Sequence, residues 1–158
     1  MIKIINMNVE DVRFPTSKDL TGSDAIHTDP DYSATYVTIT TSDNNLKGYG
    51  LAFTLGKGND IVAECIKHFF PLFNGLSIDE IEKNIGKLWY DCADHSQLRW
   101  LGPEKGVVHM ALAAIFNALW DLIAKKNQKP LWQFVVESRP ETIMNWLTFK
   151  NIEDVLTR

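Results

Sequence analysis

Cysteine is scarce in this sequence, basic charge is not in excess, and no long apolar run goes uninterrupted. Only Cys65 and Cys92 occur in 158 residues. Each sits inside an apolar helical pattern, with no C-x-x-C spacing. A disulfide framework is thereby excluded, nucleophile roles are disfavoured, and a reducing cytoplasm is the expected location. Lysine and arginine number 16 against 20 acids, for a formal charge of -4. That balance gives no electrostatic reason to expect nucleic acid or an anionic membrane as partner. The N-terminal stretch MIKIINMNVEDVRF lacks the unbroken apolar core of a secretory leader. The most apolar segment, Val107 to Ile123, is broken by His109, Asn117 and Asp121 and falls short of the roughly 20 residues of a membrane span. It reads as a buried core helix. Internal repeats and low-complexity segments are also missing.

What is present suits a folded domain. With 45% hydrophobic and 23% charged residues, the chain has material for one core and is too short for two comfortable ones. Residues 2 to 14 are rich in Ile, Val and Phe and stop at Phe14-Pro15, as a strand does where proline removes a donor. After a polar loop, SATYVTITT alternates, and beyond the turn residues SDNN the segment GYGLAFTL sets Tyr49, Leu51, Phe53 and Leu55 on one face. The other face holds Gly48, Gly50, Ala52 and Thr54, small enough to let something approach the sheet closely. These make an antiparallel hairpin.

The period then changes to about 3.6. Asn59 or Asp60 is placed to cap a helix carrying Ile61, Val62, Cys65, Ile66, Phe69 and Phe70, with a stop expected around Pro71. A second helix opens with the capping box Ser77-x-x-Glu80 and carries Ile78, Ile81, Ile85, Leu88, Trp89 and Cys92. The third runs from about Val107 to Lys126. A short apolar segment, LWQFVV, follows. ETIMNWLTF then alternates through Ile143, Asn145, Leu147 and Phe149 as a fresh strand, and NIEDVLTR resembles the first turn of a further helix. A strand with no sheet to join cannot satisfy its backbone, so the pattern suggests a chain cut just after a second domain began.

Several motifs invite a chemical reading. His27, Asp29 and Asp31 have metal-ligand chemistry, but Pro30 and the lack of a rigid flanking element favour an Asx-rich turn. GLAFTLGKGND has the order of a phosphate loop and fails its spacing: Gly50 and Gly56 are one residue too far apart, and Gly58 stands where Ser or Thr would hold magnesium. Arg99, Trp100, Glu104 and Lys105 could meet a carboxylate or sugar, though an exposed charged loop is the commoner case. His109 reads as a satisfied packing histidine and Asp121 as a bond to nearby backbone or an arginine. None completes a catalytic constellation.

Taken together, VRFPTS, HTDPDYSATYV, GYGLAFTLGKG, QLRWLGPEKGVVHMA and NALWDLIAKKNQKPLW resemble the N-terminal part of L-fuconate dehydratases, in the mandelate racemase branch of the enolase superfamily. The likeness runs from about Val12 to Arg158. Ala-Leu-Trp-Asp and Lys-Pro-Leu-Trp are common across the superfamily; HTDPDYSA with LRWLGPEKGVVH is narrower. The resemblance implies an α+β capping domain over residues 1–138, a three-stranded antiparallel meander plus a helical bundle. Residues 139–158 would begin a truncated (β/α) barrel, with ETIMNWLTF as its first strand. It also implies that the loop after the first strand closes over a sugar acid, with Gly22, Ser23, Asp24 and Tyr32 as the substrate-contacting residues and TLGKG as a second loop beside it. Ser23 departs from the alanine expected there.

The reaction so implied removes a proton alpha to a magnesium-bound carboxylate and then expels the beta hydroxyl, leaving a 2-keto-3-deoxy acid. It needs a Lys-x-Lys base pair, three acidic metal ligands at successive strand ends and a later histidine. The chain has no Lys-x-Lys, and its acids lie in loops and helices. No catalytic or metal-binding residue is therefore assigned, and no turnover is expected of the chain alone. The implied partners are L-fuconate and the missing barrel domain, and a homo-oligomer stays open. The rival readings are a stand-alone, non-catalytic interaction module that uses the surface a barrel would cover, and the lid of another sugar-acid dehydratase of the superfamily.

Overall fold

The structure, a computed structural model, describes residues 1–102, 104, 106–147 and 149. Three strands, β1 (Ile4–Val12), β2 (Ser33–Thr41) and β3 (Lys47–Thr54), form an antiparallel meander in the order β1-β2-β3. Val9 pairs with Val37, and Val37 with Gly50. One face of the sheet carries Ile4, Met7, Val37, Ile39 and Ala52, all buried. The other leaves Tyr49, Leu51 and Phe53 exposed. The period of two read from the hairpin is thus the period of burial.

Five helices follow: α1 (Asn59–Phe73), α2 (Ile78–Ala93), α3 (Val107–Lys126), α4 (Leu131–Glu137) and α5 (Pro140–Trp146). Helix α3 lies along β3 and is the centre of the core. It can do so because β3 offers it bare backbone: a Cβ added at Gly48 would stand 2.2 Å from the Ala118 carbonyl oxygen, and one at Gly50 would stand 2.1 Å from that of Ala114. The object that approaches the small-residue face is therefore this helix. At 20 residues α3 does reach the length of a span, contrary to the shorter apolar run read from the sequence. Its Leu112, Ile115, Leu119 and Leu122 are fully buried within the protein. At the edge of β3, Asp121 of α3 accepts from the Tyr49 amide at 2.9 Å and Lys125 donates to the Lys47 carbonyl at 2.9 Å, which occupies backbone groups that another strand could otherwise join.

The capping box forms as read: Glu80 N–H donates to the Ser77 hydroxyl at 3.2 Å, and Ser77 N–H to the Glu80 carboxylate at 2.8 Å. Three other expectations need correction. Helix α1 is capped by Gly58, in the left-handed region at φ 86, and Asn59 turns its side chain into the sheet. Pro71 lies inside α1 and does not end it. Proline there costs one bond on the exposed side, and continuation buries Phe73 completely. The segment Glu141 to Trp146, expected as a strand, belongs to α5, and LWQFVV belongs to α4.

The physical reason for the last is the one that made a lone strand suspect: with no edge to pair, a helix satisfies its own backbone. Pro140 at the first helical position and Glu141 in the first turn favour it. Helix α5 then docks through Trp146, whose indole donates to the Glu82 carbonyl at 3.1 Å and meets Trp120 edge-on at 5.2 Å. Gly86 admits it, since a Cβ there would lie 2.1 Å from the Trp146 carbonyl oxygen. The helix expected over NIEDVLTR lies outside the described residues.

Candidate functional site

The polar loop between β1 and β2 is pinched at its neck, because Val12 pairs with Ala34 across the first two strands. Its base is rigidly tied. The Thr16 hydroxyl donates to the Pro30 carbonyl at 2.7 Å and accepts from the Tyr32 amide at 3.0 Å. Asp31 accepts from the Ser17 amide at 3.1 Å, and its own amide donates to the Leu55 carbonyl at 3.2 Å. Ser17 holds the Asp31 carboxyl below the usual carboxylate range. The loop thereby rests on the β3–α1 connection, where Gly56, at φ 104, leaves the space that Asp31 fills.

Of the four expected contact residues, Gly22, Ser23 and Asp24 lie at the exposed end of the loop and Tyr32 reaches Gly22 from its base, and all four bond within the loop. The Tyr32 hydroxyl donates to the Gly22 carbonyl at 2.9 Å. The Ser23 hydroxyl donates to the Thr28 carbonyl at 2.6 Å. One oxygen of Asp24 accepts from the amides of Ile26 at 2.8 Å and His27 at 2.7 Å, and the other lies 3.2 Å from His27 Nδ1. The His27 amide, then that of Ile26, lower the Asp24 pKa from 3.8 to about 2. Folded pKa is depressed, so the contribution of this turn is complete above about 3.8 and is lost as pH falls through about 2. An NMR titration of the Ile26 and His27 amides is expected to show a midpoint near 2. A midpoint near 3.8 would mean that the turn is not formed in solution.

Next to the tip, the Tyr32 ring meets Phe53 at 5.6 Å between centroids. Phe53 also lines a cavity of about 470 Å3, together with Leu55, Lys57, Ile61, Val107 and Met110. The site thus combines acceptor and donor groups on the loop, one lysine on the second connection, and apolar walls. Gly56 and Gly58 serve a strand-to-helix turn, as their positive φ values require.

The other candidates stay apart. His27, Asp29 and Asp31 do not converge, and among the described residues no three His, Cys, Asp or Glu side chains come together to hold a metal ion. Arg99 pairs with Asp94, and Trp100 stands exposed. His109 packs edge-on against Trp89, and its buried Nδ1 has no hydrogen-bond partner among the described residues. Asp121 serves the strand edge, and Cys92 is raised to about 11 by burial, far from thiolate chemistry. Sequence reasoning missed Thr16, and it read Asp31 as part of an Asx-rich turn without its role in building the base. Their partners, Pro30 and Leu55, lie 14 and 24 positions away, so no local spacing signals them.

Residues 17–135 match the model of the mandelate racemase / muconate lactonizing enzyme N-terminal domain. The L-galactonate dehydratase of Hypocrea jecorina is 44% identical over 156 residues, which are 99% of this chain and 34% of that protein. The crystal structure of human mitochondrial enolase superfamily member 1 superposes with a TM-score of 0.91 at 44% identity, covering 98% of this chain and 35% of that one. A racemase from Streptomyces coelicolor A3(2) with bound magnesium gives a TM-score of 0.71 at 26% identity, over 87% of this chain and 36% of the other. The chain spans about a third of the length of the relatives it matches.

Proposed function

The chain belongs to the mandelate racemase / muconate lactonizing enzyme family, whose N-terminal domain it carries, and on that premise we propose that it is the substrate lid of an L-fuconate dehydratase-like, magnesium-dependent sugar-acid dehydratase. One observation carries the reading: the Tyr32 hydroxyl bonds to Gly22, next in sequence to Ser23 and Asp24, and the Tyr32 ring meets Phe53, which lines the cavity beside the second loop. Asp24 accepts from sugar hydroxyls and the Tyr32 hydroxyl donates to them, while closure of the loop keeps water from the reacting carbon. An Asp24 carboxylate tolerates an anionic ligand by facing the hydroxyl end of it, away from the acid group. The chemistry itself is assigned to a barrel domain. The described residues of this chain gather no set of ligands that fits magnesium.

Likeness to an L-galactonate dehydratase supports a sugar acid of the L-galacto configuration. L-fuconate is the 6-deoxy form of that acid, so the two candidates differ at one carbon, a methyl against a hydroxymethyl group. The test is a chimera in which this chain replaces the matching 156 residues of the Hypocrea enzyme, with kcat/KM measured on both acids. Dehydration is expected, with the preference shifted toward L-fuconate. Asp24→Ala in the chimera is expected to lower kcat/KM about 10- to 100-fold, the value of one charged hydrogen bond. A folded but dead chimera would sink the lid reading, and an unshifted preference would sink the choice of L-fuconate.

A further inference from the structure

Exposure divides the loop into two parts. Every residue from Lys18 to Asp29 is exposed, whereas Pro30 and Ser33 are buried. The buried part is bonded to Thr16, Ser17 and Leu55 and so belongs to the sheet. The exposed part is held mainly by its own turns. Among the described residues three hydrogen bonds cross from tip to base; that of the Lys18 amide to the Pro15 carbonyl, at 3.2 Å, closes the turn where the loop leaves β1, and two lie beyond Leu20. One is the Thr21 amide to the Thr16 carbonyl at 3.2 Å, and that amide is shared with the Asp19 carboxylate at 3.1 Å. The other is the undivided bond from the Tyr32 hydroxyl to the Gly22 carbonyl at 2.9 Å.

The contact at Gly22 is also steric. A Cβ there would stand 2.1 Å from the Tyr32 hydroxyl oxygen and 2.4 Å from its ring, so the phenol lies directly on the glycine backbone. Tyr32 itself is backed by Phe53 of β3. Where the tip leaves the base, two residues within three positions take the left-handed region, Leu20 at φ 58 and Gly22 at φ 75. Leu20 gains by leaving that region, since a Cβ disfavours it.

We propose that Tyr32 is a positioning residue, a pin that holds the tip, residues 18–29, to the sheet through Gly22, and that without the pin the tip opens at its own left-handed Leu20–Gly22 turn while the base stays locked to the β3–α1 connection. The inference rests on the lid reading only in taking this loop as the part that meets the sugar acid. A ligand hydroxyl that takes the Tyr32 proton releases Gly22, so ligand and tip compete for one donor. Tip movement and ligand capture are then linked through a single phenol.

The test needs neither ligand nor turnover, so its failure and that of the lid reading are distinguishable. Limited trypsin digestion of the whole chain reads the tip by cleavage after Lys18 and the second loop by cleavage after Lys57. Tyr32→Phe is expected to speed cleavage after Lys18 about 2- to 10-fold, the equivalent of one net hydrogen bond, and to leave Lys57 unchanged. Gly22→Ala, which displaces the phenol, is expected to give the same pattern. Asp31→Ala, which frees the base, is expected to speed both cleavages. No change at Lys18 in Tyr32→Phe would overturn the pin. Equal acceleration at Lys18 and Lys57 in that variant, or acceleration at Lys18 alone in Asp31→Ala, would overturn the division into tip and base.

Discussion

Gly50→Ala is expected to lower stability by about 3 kcal/mol, at the upper end of overpacking costs. The added carbon would stand 2.1 Å from the Ala114 carbonyl oxygen and 2.8 Å from the Ala118 nitrogen, both backbone atoms of α3. A side chain can rotate out of such a clash; a helix backbone has to be lifted as a body. Gly48 repeats the contact one turn along, so α3 cannot pivot about that point either. Lifting α3 loosens Leu112, Ile115, Leu119 and Leu122 together. For a chain of this length the loss corresponds to a fall in Tm of about 6 to 12 °C, read by thermal or urea unfolding. Tyr49→Ala is the comparison: one position away on the exposed face, it is expected to cost under about 1 kcal/mol, as surface changes do. Equal losses for the two variants would mean that the glycine face is not where the helix packs.

That face was legible in the sequence because it is a local property. Four small residues at every second position need no knowledge of what covers them, and the identity of the cover, α3, followed only from the fold. The capping box and the limits of α3 were equally local, set by residues three or four positions apart. Pro71 and the strand expected over residues 141–149 show the limit of such reasoning. At Pro71 the burial of Phe73 outweighs a lost exposed bond, and nothing in the spacing of α1 announces it. At Trp146 the choice between strand and helix depends on a groove opened by Gly86, 60 positions earlier. The loop between β1 and β2 is a third case. Its residues were placed by resemblance, and the structure adds that Asp24 and Tyr32 already spend hydrogen bonds on the loop itself. Any ligand must therefore compete with internal partners, which composition and periodicity cannot express.

Asn59→Ala is expected to cost about 3 kcal/mol, from four side-chain hydrogen bonds lost at once inside the sheet. The side chain, fully buried, joins all three strands to the start of α1. Its oxygen accepts from the hydroxyls of Thr35 and Thr54, each at 2.9 Å. Its nitrogen donates to the Ala34 carbonyl at 3.2 Å and to the Asp11 carboxylate. Because Thr35 and Thr54 are themselves buried, neither hydroxyl can turn to water as a substitute; Thr35 keeps the backbone carbonyl of residue 59 as acceptor, at 3.1 Å, so the larger loss falls on Thr54. Asn59→Asp separates hydrogen bonding from volume. It keeps the shape and the two threonine donors, but sets an oxygen against the Ala34 carbonyl and the Asp11 carboxylate. Burial and the like charge raise the pKa of the new carboxyl in the folded state, so its penalty is largest at neutral pH and shrinks as pH falls and it is protonated. Urea unfolding at pH 7 and pH 5 reads this directly: Asn59→Asp should approach the parent at pH 5, whereas Asn59→Ala should show no such recovery. A pH-independent loss in the aspartate variant would mean that the carboxamide nitrogen is not bonded to acceptors there. Since Asn59 stands next to Gly58 and the turn beneath Asp31, the same network that secures the sheet also fixes the height of the base of the β1–β2 loop above it.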